Sequence, residues 1–184
     1  MASPSHFLMF PLISLLILAV ASSYTCAQLL PGYCYQSCEQ QINFPSYYLY
    51  QGGANPNQHI IVQSSYPFGF GSIAANDWTI LDAPLPTANI IARGRGMQIQ
   101  VDQAAGTDWQ CYFSIVFQDA SYGGSTLKVM GDNNGGPTGE FSIIGGTGKL
   151  SMARGTIKFT VVQINATENY KKLDFYGTYV PLAV

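Results

Sequence analysis

The side chains in this sequence best placed to move a proton are carboxylates: Asp77, Asp82, Asp102, Asp108, Asp119, Asp132, Glu140 and Asp174. Most flank turns, where Asp is a routine capping residue. Asp132 stands apart because it directly follows the apolar stretch Leu127–Met130 at the mouth of a Gly-rich loop. A carboxyl at the rim of an apolar cavity has its acid form favoured by desolvation and can donate a proton near neutral pH. Asp132 is therefore the candidate catalytic acid. Arg93, Arg95 and Arg154 are the cations beside apolar runs, and they read as partners for nearby carboxylates.

Other chemistries lack their residues. The chain has two histidines. His6 lies in the leading apolar segment, and His59 opens His59-Ile60-Ile61-Val62, which reads as a strand. Serine–histidine catalysis and a multi-histidine metal site are both disfavoured by that supply, and no metal site is expected. The segment Gly145-Gly146-Thr147-Gly148-Lys149-Leu150 is not a phosphate loop, since Ile143 and Leu150 stand where Gly and Ser or Thr are needed. Gly94 and Gly96 form a fragment of a dinucleotide fingerprint and read instead as a tight turn between two strands. No cofactor is expected.

These residues sit in a chain of 184 residues with 8 basic and 10 acidic side chains and a net charge of −2. With 10% charged and 47% hydrophobic residues, disorder and nucleic-acid binding are both disfavoured. Aromatics are 13%, twelve of them tyrosine, the composition of a dry β protein. The first charged side chain is Glu39, and Phe7–Val20 is a nearly unbroken apolar run. That run is shorter than the roughly 20 residues a membrane-spanning helix needs. Ala19, Ala21, Ser22 and Ser23 follow it closely, the layout of a secretory signal peptide. We assign residues 1–27 to the signal, with cleavage after Ala21 or Ala27, and residues 28–184 to one secreted domain without a membrane segment. In an oxidising compartment one disulfide is expected among Cys34, Cys38 and Cys111, its pairing left open. Asn165-Ala166-Thr167 is a glycosylation sequon in a polar stretch between apolar runs.

The elements that must position these residues read as short strands bounded by Gly, Pro, Asn and Asp. They are Ser46–Gln51, His59–Ser64, Asp77–Asp82, Asn89–Arg93, Met97–Asp102, Trp109–Asp119, Thr126–Met130, Phe141–Ile144, Thr156–Ile164 and Leu173–Val180. Met97, Ile99 and Val101 alternate with Gln98, Gln100 and Asp102, which predicts a half-buried strand with its apolar face inward. Cys111, Phe113, Ile115 and Phe117 share one face of their strand. An open sheet of so many strands exposes edges that few charges can guard, so the pattern predicts closure into an antiparallel β-barrel of about eight strands, with a two-sheet sandwich as the alternative that the strand pattern alone leaves open.

Three ordered motifs now add a resemblance. Gly124-Ser125-Thr126-Leu127-Lys128-Val129-Met130-Gly131, Ile143-Ile144-Gly145-Gly146-Thr147-Gly148-Lys149 and Met152-Ala153-Arg154-Gly155 resemble the plant dirigent proteins in order and spacing. Phe117-Gln118-Asp119 and Ala92-Arg93-Gly94-Arg95-Gly96 match further family segments, and the similarity spans roughly Ser46 to Tyr179. The resemblance implies an eight-stranded antiparallel barrel, a homodimer or homotrimer, secreted to the apoplast. It further implies a small phenolic ligand, a phenoxy radical or quinone methide, guided to one stereoisomer while an external laccase or peroxidase performs the oxidation. Coupling members carry an acid where this chain has Tyr50-Gln51, and "VMGAD" where it has Val129-Met130-Gly131-Asp132-Asn133. An Arg often found in the family aligns near Gly139. Tyr50-Gln51, Asn55-Pro56-Asn57-Gln58 and Asp77-Trp78-Thr79 look more like the grass dirigent domains sometimes fused to jacalin-type lectins. The expected ligand neighbours are Tyr50, Gln51 and Asn133, with Asp132 as proton donor. The alternative is a non-catalytic defence or cell-wall protein that binds a glycan or a protein through the same barrel. A ring-forming enzyme like the allene oxide cyclases is a third, on fold analogy.

Overall fold

The computed structural model describes residues 39–52, 56–164 and 168–181. The expected signal peptide, Cys34, Cys38 and the Asn165 sequon lie outside the described residues. Ten strands follow in order: β1 (Gln40–Gln41), β2 (Tyr47–Gly52), β3 (Gln58–Val62), β4 (Ile73–Leu81), β5 (Ile90–Gln100), β6 (Trp109–Phe117), β7 (Thr126–Asn133), β8 (Thr138–Thr147), β9 (Arg154–Ile164) and β10 (Glu168–Tyr179). All pairings are antiparallel. The eight strands β2, β4, β5, β6, β7, β8, β9 and β10 pair in that order, and β10 returns to β2, closing the expected barrel. β1 adds to β10, while β3 takes over the edge of β4 beyond the residues that β2 covers.

Period-two alternation sends one face of each strand inward. Leu49, Trp78, Ile80, Phe113, Ile115, Phe117, Leu127, Phe141, Ile157, Phe159 and Leu173 form the buried core. The face expected for Cys111, Phe113, Ile115 and Phe117 is the inward one. At the end where β2 and β10 meet the β6–β7 connection, rings close the barrel. Phe44 lies 5.3 Å from Phe117, 5.0 Å from Tyr122 and 5.3 Å from Phe175, centroid to centroid. Such tilted and edge-on contacts suit the aromatic quadrupole, and this end is dry.

Two expectations are corrected. Asn89–Arg93 and Met97–Asp102 are not two strands joined by a turn at Gly94 and Gly96, but one strand, β5, paired without interruption to β6. Gly96 is required by close approach, since a Cβ there would stand 2.1 Å from the Tyr112 carbonyl oxygen and 2.6 Å from Phe113 Cα. The facing of β5 is also inverted. Gln98 and Gln100 are buried inside the barrel, while Met97 and Val101 are exposed outside. Alternation alone marks two faces without saying which is inner, and here the amides won the interior.

Candidate ligand-binding chamber

The opposite end of the barrel, which holds the C-terminal ends of β5 and β7 and the N-terminal end of β10, is lined differently. β10 continues N-terminally past Leu173, and the alternation that buries Leu173 and Phe175 also turns Lys171 inward. Lys171 is 4% exposed. Its Nζ donates a hydrogen bond to Asn133 Oδ1 at 2.9 Å and lies 4.9 Å from the centre of the Phe159 ring. Phe159 can lie there because β8 carries Gly139 opposite it; a Cβ at that position would meet the ring at 2.4 Å. Burial pushes the Lys171 ammonium down to about 8, with Cys111 pulling weakly the other way. The amine thus exchanges its proton close to neutrality.

Around Lys171 stand neutral polar groups. Cys111 is a free, fully buried thiol whose Sγ lies 3.6 Å from Gln98 Oε1 and from the Trp109 carbonyl. Burial pushes that thiol up to about 12, so it is neutral at physiological pH and a poor nucleophile. Gln100 Nε2 donates to the Asp102 carbonyl at 2.8 Å, and Asn169 Nδ2 donates to Gln51 Oε1 at 3.3 Å. Several amide atoms remain without a hydrogen-bond partner in the protein: both polar atoms of Asn76, Gln100 Oε1 and Asn169 Oδ1. Behind this polar end runs a ladder of rings. Trp78 to Phe113 is 5.2 Å, Phe113 to Phe141 5.5 Å and Phe141 to Phe159 4.9 Å, ending beneath Lys171. The arrangement offers an aromatic wall for a planar ligand and a cluster of amides and one amine for its oxygens.

The candidates read from sequence divide around the wall. Asn133 and Gln51 face this chamber, with Asn133 bonded to Lys171 and Gln51 to Asn169. Asp132 does not. Strand β7 buries Leu127 and Val129 inward and brings Asn133 to Lys171, so the alternating Asp132 is carried to the exposed outer face beside Gln110. Its carboxyl therefore does not line the interior. Tyr50 also alternates outward, where its ring lies 4.9 Å from that of Tyr170. Of the three candidate disulfide cysteines, Cys111 is the free thiol already described.

The remaining charges behave as the sequence suggests. Arg93 and Arg95 both pair with Asp77, at 2.8 Å and 3.2 Å, and Arg154 pairs with Glu39. The Arg93 hydrogen bond holds the Asp77 carboxyl below its ordinary range, opposed by slight burial and reinforced by Arg95. Asp82 and Asp102 cap their loops through the amides of Asn89 and of Ala104, Ala105 and Thr107. Outside the barrel, Tyr50, Asn57, His59, Asp77, Thr79 and Arg93 line a groove of about 510 Å³. Among the described residues no group of three His, Cys, Asp or Glu side chains is arranged to hold a metal ion, and no helix is long and apolar enough to cross a membrane.

The sequence pattern does not mark Lys171, because the strand it predicts there starts at Leu173. The signal was present: counting back by two from Phe175 and Leu173 reaches Lys171, then Asn169.

Fold and interior together define a small closed antiparallel barrel whose inside runs from an aromatic wall to a polar end. The chain belongs to the dirigent-like protein family, whose profile matches residues 43–177. Among curated relatives, it is 26% identical over 101 residues to pterocarpan synthase 1 of Glycine max, covering 54% of each chain. It is 28% identical over 109 residues to dirigent protein 23 of Arabidopsis thaliana, covering 56% of this chain and 57% of the relative. The chain thus spans little more than half the length of these relatives in matched sequence. The solved structure of the pterocarpan synthase dirigent protein GePTS1 superposes with a TM-score of 0.72 at 21% identity, over 83% of this chain and 96% of that one. That of PsPTS1 gives 0.68 at 18% identity, over 79% and 97%. These structures share the fold.

Proposed function

We propose that this protein holds a phenolic intermediate, a phenoxy radical or quinone methide, in the chamber and steers its coupling or ring closure to one stereoisomer. The observation that carries the proposal is the continuous ring ladder from Trp78 to Phe159 ending at the buried Lys171–Asn133 pair. The rings orient a planar ligand face-on or edge-on, and the closed wall excludes water that would add to a quinone methide. Lys171, rather than Asp132, is the group placed to exchange a proton with a ligand oxygen. The one-electron oxidation is assigned to an external laccase or peroxidase. Membership of the dirigent-like family and the pterocarpan synthase names of its relatives support the same class of chemistry. Secretion to the apoplast, a glycan on Asn165, a disulfide and a homodimer or homotrimer belong to the same proposal.

The test is coupling of coniferyl alcohol by a laccase with and without the purified protein, read by chiral chromatography. An enantiomeric excess that grows with added protein is expected. A racemic product at every protein concentration contradicts guidance of that substrate. The second reading, a glycan-binding wall protein, is favoured by the outer groove with its Tyr50 ring and its His59, Thr79 and Arg93 side chains. A glycan array tests it: retention that Arg93→Ala abolishes supports it, and signal at background removes it.

A further inference from the structure

Resting on the reading that the chamber takes a phenolic ligand, we infer that the ligand carries an oxyanion, a carboxylate or a phenolate, held by Lys171 at the polar end of the barrel. A buried ammonium is costly unless an opposite charge or a full set of hydrogen bonds compensates it. Lys171 has three N–H donors; one goes to the neutral amide of Asn133, and the face of Phe159 lies nearby. Every strand carboxylate whose side chain is described is on the outer surface. Asp77 pairs with Arg93, Glu140 with Lys158 and Asp174 with Lys172, while Asp132 is exposed. The Cys111 thiol is buried and neutral, so it supplies no counter-charge. The protein has therefore placed a cation in its interior and no anion beside it among these groups.

A second observation points to a ligand at the same end. Asn76 is 6% exposed and Gln100 is 1% exposed, yet both polar atoms of the Asn76 side chain and Gln100 Oε1 lack a partner in the protein. Buried amides are almost always hydrogen-bonded. Gln100 is adjacent to Gln98 on the inward face of β5, and Asn76 lies one step along on the inward face of β4. Unused donors and acceptors at the same end of the barrel as an uncompensated ammonium, together with the ring ladder, suit an aromatic ring with an anionic oxygen at one end. Asn133, the one hydrogen-bond partner of Lys171 among the side chains described, is a neutral amide and leaves that charge for the ligand.

The test uses isothermal titration calorimetry on the full protein with two matched arms. The carboxylate arm compares ferulate with coniferyl alcohol, which share the ring and differ at the side-chain terminus. The phenolate arm compares 4-nitrophenol below and above its own ionisation. A preference for the anion of roughly tenfold or more is expected in at least one arm, and the arm that shows it names the oxyanion. Lys171→Met should erase that preference. Asn133→Asp, which keeps the amine and places a carboxylate 2.9 Å from it, should erase it too. Equal affinities in both arms would overturn the oxyanion inference while leaving the phenolic chamber standing. Absence of binding by all four ligand forms would overturn both. Anion preference that survives both substitutions would remove Lys171 from the account.

Discussion

The two ends of the barrel are made by the same eight strands but are built on opposite principles. At one end Phe44, Tyr47, Phe117, Tyr122 and Phe175 fill the interior with rings. At the other, Gln51, Gln98, Gln100, Asn133, Asn169 and Lys171 turn polar groups into the same interior, several of them only partly satisfied. The first end contributes stability, because burying apolar area is favourable. The second contributes recognition at a cost in stability, the usual pattern where a fold departs from its own packing rules.

That contrast is broken most strongly by truncating the dry end. Phe117→Ala removes a fully buried ring that touches Phe44 and Tyr122, and should cost about 3–5 kcal/mol of unfolding free energy in urea titration. If it cost less than about 1 kcal/mol, the ring plug would not be the stabilising end.

At the polar end the sign should reverse. A lysine lowered from 10.5 to about 8 destabilises the folded state by roughly 3 kcal/mol when fully protonated. Lys171→Met, of similar volume, should therefore leave stability at pH 7 unchanged or raise it by about 1–3 kcal/mol. The same linkage predicts a pH signature. Between about 8 and 10.5 the unfolded chain binds more protons than the folded one, so the wild-type protein gains stability relative to Lys171→Met as pH rises through that window. The difference between the two unfolding curves isolates Lys171 from tyrosine titration. A flat difference would mean that the amine is solvated.

The smallest effect belongs to the outer wall. Asp77→Asn breaks an exposed pairing with Arg93 and Arg95 and should cost about 0.2–1 kcal/mol, less at high salt. Because the arginines lower the Asp77 pKa, the contribution is present above its unfolded value and is lost as pH falls through the folded one. A larger loss would place the outer wall, rather than the ring plug, among the main stabilising features.

The same contrast explains what the sequence disclosed. The dry end was legible because apolar alternation in Cys111-Tyr112-Phe113-Ser114-Ile115-Val116-Phe117 names its inner face unambiguously. Closure into eight strands followed from edge protection and from the family motifs. At the polar end the usual assumption that apolar means inside fails. It turned β5 inside out, ended β7 at Met130 rather than Asn133, and began β10 at Leu173, beyond Lys171. Asp132 reads as the candidate acid because it follows the apolar stretch Leu127–Met130 at the mouth of a Gly-rich loop, yet a shift of one residue on a strand moves a side chain through the wall. Asn133 and Gln51 were found because the resemblance fixed their positions, whereas Lys171 had no motif to mark it.

The most direct test of the account is to map a bound phenol onto the two ends. Two-dimensional NMR of isotopically labelled protein, titrated with ferulate and with coniferyl alcohol, would report which residues respond. Shifts concentrated at Gln98, Cys111, Asn133 and Lys171, with Phe117, Tyr122 and Phe175 unmoved, are the predicted result. Shifts centred on the ring plug or on the outer groove at His59 and Arg93, with Lys171 and Asn133 silent, would contradict it.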